Sequence, residues 1–144
     1  MSKETIALAS DHGGYSLKEI LKENLVEMGF EVLDLGCDGP ESVDYPDYAA
    51  AMAEAIGQNK AERGVLVCGS GIGISIAANR HKHIRAALVH DGLTARLCRQ
   101  HNNANVMAVG ERVIGVDVAK DCLKNFLDTE FEGGRHAGRV GKMS

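Results

Sequence analysis

The stretch Val65-Leu66-Val67-Cys68-Gly69-Ser70-Gly71-Ile72-Gly73-Ile74-Ser75 leaves few folds open to this chain. Val65, Leu66 and Val67 make the unbroken apolar run of a strand buried on both faces. Glycines at 69, 71 and 73 permit backbone conformations that a Cβ would obstruct. From Ile72 onward, Ile72, Ile76 and Ala77 recur at helical spacing, so the segment reads as strand, tight glycine-rich turn, helix. Such a turn aims several backbone N–H groups at one point and suits an anion or an oxyanion. Cys68 ends the strand beside that point, either as a reactive thiolate or as a small buried hydrophobe.

The remainder of the chain repeats the alternation. Residues 5–9 predict a first strand, and Ser10-Asp11-His12-Gly13-Gly14 a polar turn at its C-terminal end. Ser16 with Glu19 predicts a capping box for a helix whose apolar face is Leu17, Ile20, Leu21, Leu25 and Met28, stopped by Gly29. Residues 31–35 read as a second strand, and Asp44-Tyr45-Pro46 opens a second helix that runs to Gly57. The third helix extends to about Asn79. A strand over 85–89, a helix over 93–101 and a strand over 105–109 follow. Val116, Ala119, Cys122, Leu123, Phe126 and Leu127 mark a last amphipathic helix. Five short strands alternating with helices call for a parallel sheet covered on both faces. The fold class is therefore α/β: a three-layer α/β/α sandwich, Rossmann-like or flavodoxin-like. The 144 residues suit one domain, 1–144, with 129–144 as a basic tail.

In open parallel sheets ligands bind beyond the C-terminal ends of the strands. That rule collects Asp11, His12, Tyr45, the Cys68–Gly73 turn and Asp91 on one edge. The tail holds Arg135, His136, Arg139 and Lys142. Arg135 and Arg139 lie four apart, so one helical turn would put both on one face and let them clamp a phosphate. The alternative for the tail is a frayed terminus.

Composition narrows the function. A net charge of −4 gives no reason to expect nucleic acid or an anionic membrane as partner. The N-terminus carries neither a basic region nor an apolar run, so no signal peptide is expected, and no stretch reaches membrane-span length. Cys37, Cys68, Cys98 and Cys122 are scattered, without a C-x-x-C pair or a histidine at zinc spacing. Free thiols in the cytoplasm are expected, with no metal site. A dinucleotide site fits the spacing poorly, because counting from Gly69 or Gly71 puts Ile74 or Ile76 where the third glycine belongs. Asp91 lies about where a ribose-binding acid would be, so a nucleotide-binding enzyme stays open as an alternative, as does a non-catalytic sugar-phosphate sensor. No Lys-Ser or Lys-Thr follows the glycines, which removes a P-loop. Cys68 as base, the Gly69–Gly73 amides and Ser70 hydroxyl around an enediolate, and arginines on a remote phosphate together describe an aldose–ketose isomerase that needs no metal or cofactor.

Asp11-His12-Gly13-Gly14, Asp44-Tyr45-Pro46, Cys68 through Asn79, Arg99-Gln100-His101-Asn102 and Glu132-Gly133-Gly134-Arg135-His136 together resemble the type B ribose-5-phosphate isomerases, over nearly the whole chain. Galactose-6-phosphate and allose-6-phosphate isomerases share that family. The resemblance implies the α/β/α sandwich, no cofactor, a sugar-phosphate substrate, and a homodimer or dimer of dimers. It implies Cys68 as general base, His101 as the acid that opens the furanose ring, and Ser70 as a hydroxyl where many members carry Thr. Gly69, Gly71, Ile72 and Gly73 then line the anion hole. Asp11, His12, Tyr45 and Asn102 contact the sugar, and Arg112, Arg135 and Arg139 the phosphate. His101, Asn102 and Arg112 are implied to reach the site from the partner subunit.

Overall fold

The computed structural model describes residues 3–143. Its strands are β1 (Thr5–Ser10), β2 (Glu31–Asp34), β3 (Arg63–Cys68), β4 (Ala86–Leu88) and β5 (Val106–Gly110). Helices α1 (Tyr15–Glu27), α2 (Tyr45–Gly57), α3 (Ile72–Ala78) and α4 (Gly92–Gln100) connect them in turn, and α5 (Val116–Asp128) and α6 (Arg135–Gly141) complete the chain. All pairings are parallel, in the order β2-β1-β3-β5-β4. The last two strands are exchanged relative to the flavodoxin order. Burial accounts for the exchange: every residue of β5 is buried, whereas the three of β4 are only half-buried and suit an edge. The Asn79 side chain bonds both the N–H and the C=O of Ala86 (2.8 Å each), which covers the outer edge of β4.

The two-residue period of the strands divides the core. Ile6, Leu8, Val65, Val67, Met107 and Val109 face α1, α4 and α5. Ala7, Ala9, Leu66, Cys68, Val106 and Ala108 face α2 and α3. Right-handed crossovers produce this division, because the chain moves one way across the sheet through α2 and α3 and the other way through α1 and α4. Cys37, Cys98 and Cys122 are buried packing residues, and burial pushes the last two thiols up to about 11. Among the described residues no helix is long and apolar enough to cross a membrane.

Three local expectations are corrected. The Ser16–Glu19 capping box does not form, because a short turn over His12–Gly14 precedes α1 and puts Ser16 inside the helix. Asp11 caps that turn instead (Gly14 N–H to Oδ1, 3.2 Å), and Leu17 N–H donates to Glu111 Oε1 at 2.7 Å. Ile72 and Ile76 do not face the core. They are 52% and 60% exposed, while Ile74 and Ala78 are buried, because the short α3 packs on α2 through its other side. The tail is not frayed: α6 docks through buried His136 and Val140.

Candidate active site

From β1 the chain turns to β2 on one side, and from β3 it leaves toward β4 on the other. The crevice beyond the C-terminal ends of β1 and β3 is therefore the switch point of the sheet. Cys68 ends β3 there, 4% exposed, and its Sγ accepts the Gly71 N–H at 3.0 Å. Gly71 reaches that geometry in the left-handed region (φ 78°), where a Cβ would also meet Leu88 Cδ1 at 2.6 Å. Ser70 Oγ accepts the Ile72 N–H at 3.2 Å. Two amides of the turn are thus committed internally, and the Ser70 and Gly73 N–H groups have no protein partner among the described residues.

The Asp11–Gly14 turn lies against this loop. A Cβ at Gly14 would come within 2.6 Å of the Val67 carbonyl, so only glycine permits the approach. His12 Nδ1 accepts the Val43 N–H at 3.1 Å, which leaves the proton on Nε2 and points that nitrogen away from the backbone. The Tyr45 ring covers Gly73 so closely that a Cβ there would meet it at 2.7 Å. Arg112 N–H donates to Gly69 O at 2.9 Å, and its side chain passes over Gly69. Arg112 therefore belongs to the Cys68 edge of its own chain, not with His101 as the resemblance implied. The cause is that Glu111 and Arg112 continue β5, which pairs with β3 through Cys68 (Glu111 N–H to Cys68 O, 2.9 Å). Asp91 lies on this edge too, but its carboxylate caps α4 (Thr94 N–H to Oδ1, 2.7 Å) and is held below the usual range by those bonds.

His101 and Asn102 lie at the other end. Because α4 returns antiparallel to the strands, its C-terminus delivers both residues to the start of β5, a strand length of roughly 17 Å from the Cys68 edge. The His101 ring stacks on His136, centroids 4.4 Å apart and 16° from parallel. Glu132 Oε1 lies 3.6 Å from His136 Nε2 and 4.0 Å from His101 Nε2, and Glu132 N–H donates to Gln100 O at 3.1 Å. Loss of hydration, then the neighbouring His101, Arg135 and Arg139, pull His136 below the ordinary histidine value, against Glu132. Arg135 and Arg139 sit exposed on α6 beside this pair, and Asn102 and Arg139 line a cavity of about 300 Å³ with both histidines.

His101, Glu132 and His136 are metal-ligand types within 4.8 Å of one another. Near-parallel rings point their nitrogen lone pairs alongside each other rather than at one ion, so the geometry favours an imidazole pair bridged by a carboxylate. Glu132, His136 and Glu111 received no role from the sequence. The four-residue spacing of Glu132 and His136 was the available signal; their meeting with His101 was not.

The candidate residues thus fall into two groups. Asp11, His12, Tyr45, Cys68, Gly69, Ser70, Gly71, Ile72, Gly73 and Arg112 share the C-terminal edge, and His101, Asn102, Arg135 and Arg139 the N-terminal one. Fold and site define a class, the α/β/α-sandwich isomerases of phosphorylated sugars. The model of the ribose/galactose isomerase family matches residues 6–143, and the chain belongs to that family. It is 45% identical to ribose-5-phosphate isomerase B of Escherichia coli, over 94% of this chain and 91% of that one. The solved structure of ribose-5-phosphate isomerase B from Clostridium thermocellum superposes with a TM-score of 0.95 at 50% identity, covering 96% and 94% of the two chains. The D-erythrulose-4-phosphate isomerase of Pectobacterium atrosepticum is 43% identical, over 96% and 92%.

Proposed function

We propose that this protein interconverts ribose 5-phosphate and ribulose 5-phosphate through an enediolate. The observation that carries the proposal is the placement of Cys68: a sulfur held by a backbone N–H at the switch point, with His12, Tyr45, Ser70 and Arg112 around the same crevice. The Cys68 thiolate takes the proton from C2 of the open aldose, breaking the C–H bond and forming S–H, and returns it to C1. The O2 hydroxyl proton passes to O1, so that the C1 aldehyde becomes the alcohol and C2 the ketone. The Ser70 hydroxyl and the Ser70 and Gly73 N–H groups, which have no protein partner among the described residues, stabilise the charge that develops on the enediolate oxygen. Arg112, Arg135 and Arg139 hold the phosphate, so the tail completes that subsite. His101, steadied by His136 and Glu132, opens the furanose ring.

This chemistry needs both edges, and one chain holds them apart. A homodimer in which each protomer's N-terminal edge covers its partner's C-terminal edge completes two sites by one two-fold axis. Exposed Ile72, Ile76 and Val113 beside the Cys68 crevice supply apolar surface for that contact. The four-carbon substrate named for the Pectobacterium relative supports testing a tetrose phosphate alongside the pentose.

A coupled assay with chelator present is expected to show turnover of ribose 5-phosphate; turnover of erythrulose 4-phosphate, allose 6-phosphate or galactose 6-phosphate alone would replace the substrate and keep the class. Sharing across the dimer has its own test. C68A and H101N subunits, each inactive on cyclic substrate, should recover about a quarter of wild-type activity when mixed and reassorted, because random pairing gives half heterodimers with one intact site each. No recovery from a demonstrated heterodimer refutes the shared site.

A further inference from the structure

At the N-terminal end of the sheet, away from the Cys68 crevice, Arg63, Arg85 and Arg99 converge on a cavity of about 370 Å³. Arg63 is paired with Glu4 (Nε to Oε2, 2.9 Å; Nη2 to Oε1, 2.6 Å). Glu4, Glu62 and Glu130 line the same cavity, but among the described residues only Glu4 pairs with a guanidinium, that of Arg63, and Arg85 and Arg99 have no carboxylate partner. Arg85 uses one of its five N–H donors, on Asn103 O, and Arg99 three, on Thr129 O, Asn103 Oδ1 and Ala104 O. Four donors on one and two on the other remain for the cavity. Half-buried charges are ordinarily paired. Here burial pulls both guanidiniums down, and Arg63 and Arg85 add to the effect on Arg99 while Glu4 offsets part of it. The site has charge, donors and room for an anion.

We propose that Arg85 and Arg99 bind a phosphate group at this end of the sheet, as a second anion site distinct from the catalytic one. Two guanidiniums with planar donor forks match a tetrahedral oxyanion better than any neutral ligand. The cavity holds inorganic phosphate or a small phosphate ester. Occupancy also bears on catalysis. Arg99 joins the turn that carries His101 and Asn102, through Asn103 Oδ1 (3.0 Å) and Ala104 O (2.7 Å), to Thr129 at the start of the segment that carries Glu132 and α6. An anion that fixes Arg99 fixes that joint, a link that rests on the function proposed above.

The test is a phosphorus NMR titration of the full chain with inorganic phosphate and, separately, glycerol 3-phosphate. Wild type is expected to bind two equivalents per chain. R85Q should weaken one of them about tenfold or more and leave the other, whereas R135Q/R139Q should do the reverse. R85K keeps the charge without the planar fork and should weaken that site less than R85Q does, and an unchanged thermal melt of R85Q separates loss of the site from loss of the fold. The tighter probe identifies the source as free phosphate or ester. R85Q titrating as wild type overturns the proposal, as does a single equivalent lost only in R135Q/R139Q. A single equivalent lost only in R85Q keeps it and instead removes the phosphate role of Arg135 and Arg139.

Discussion

The C-terminal edge of the sheet is built from backbone, and the N-terminal edge from side chains. Around Cys68, glycines let main chain meet main chain: Gly14 rests on Val67, Gly110 on Ser70, and Gly71 turns an N–H onto the sulfur. These contacts have no spare volume and no rotamers to lose. Around His101 the positions depend on a ring stack, a bridging carboxylate and the donors of Arg99, with exposed arginines on a short helix. A base that must sit within bonding reach of one carbon gains from the first construction. Under the shared site proposed above, groups that close over a substrate from a second subunit gain from the second, whose side chains have rotamers and titratable rings.

The contrast is sharpest at Cys68. C68A is expected to lower kcat by about a thousandfold or more, with the melting temperature and substrate affinity little changed; activity within tenfold of wild type removes the base from this edge. G14A should drive a Cβ into the Val67 backbone and cost about 1–3 kcal/mol of stability, read from urea unfolding. G138A, where nothing lies within 4 Å, should instead stabilise α6 by up to about 1 kcal/mol, and equal effects at the two sites would erase the distinction between the edges. E132Q should slow turnover of cyclic substrate severalfold and spare open-chain substrate; equal losses on both would mean that Glu132 does not act through His101.

The smallest effect concerns pH. Folding depresses the His136 value, so the unfolded chain binds that proton more readily. Stability from docking α6 is therefore present above the ordinary value of about 6.5 and is lost as pH falls through the window below it. H136Q should flatten that acid-side decline in thermal melts; an unchanged slope assigns the decline to other groups.

Much of the Cys68 edge was legible in the sequence. Strand, turn and helix follow from neighbours only a few residues apart, and the ends of parallel strands gather Asp11, Tyr45 and Cys68 by topology alone. The separation of His101 from Cys68 was legible only as an implication of the family resemblance, although a helix between parallel strands must end at the opposite edge. What one helical period could not reveal was which side of α3 faces inward. Ile72 and Ile76 satisfy the spacing of a buried stripe, yet Ile74 and Ala78 fill the core.

The sequence by itself determined the five strands, their helices and the placement of a thiol beside a glycine turn, because each depends on local periodicity and on the stereochemistry of glycine. Only the tertiary structure decided that β5 lies inside β4, that Arg112 stands over Gly69, and that Glu132, His136 and His101 meet. Those outcomes depend on which strand buries more surface and where each crossover returns. They are set by contacts between residues far apart in the chain, which no local pattern records.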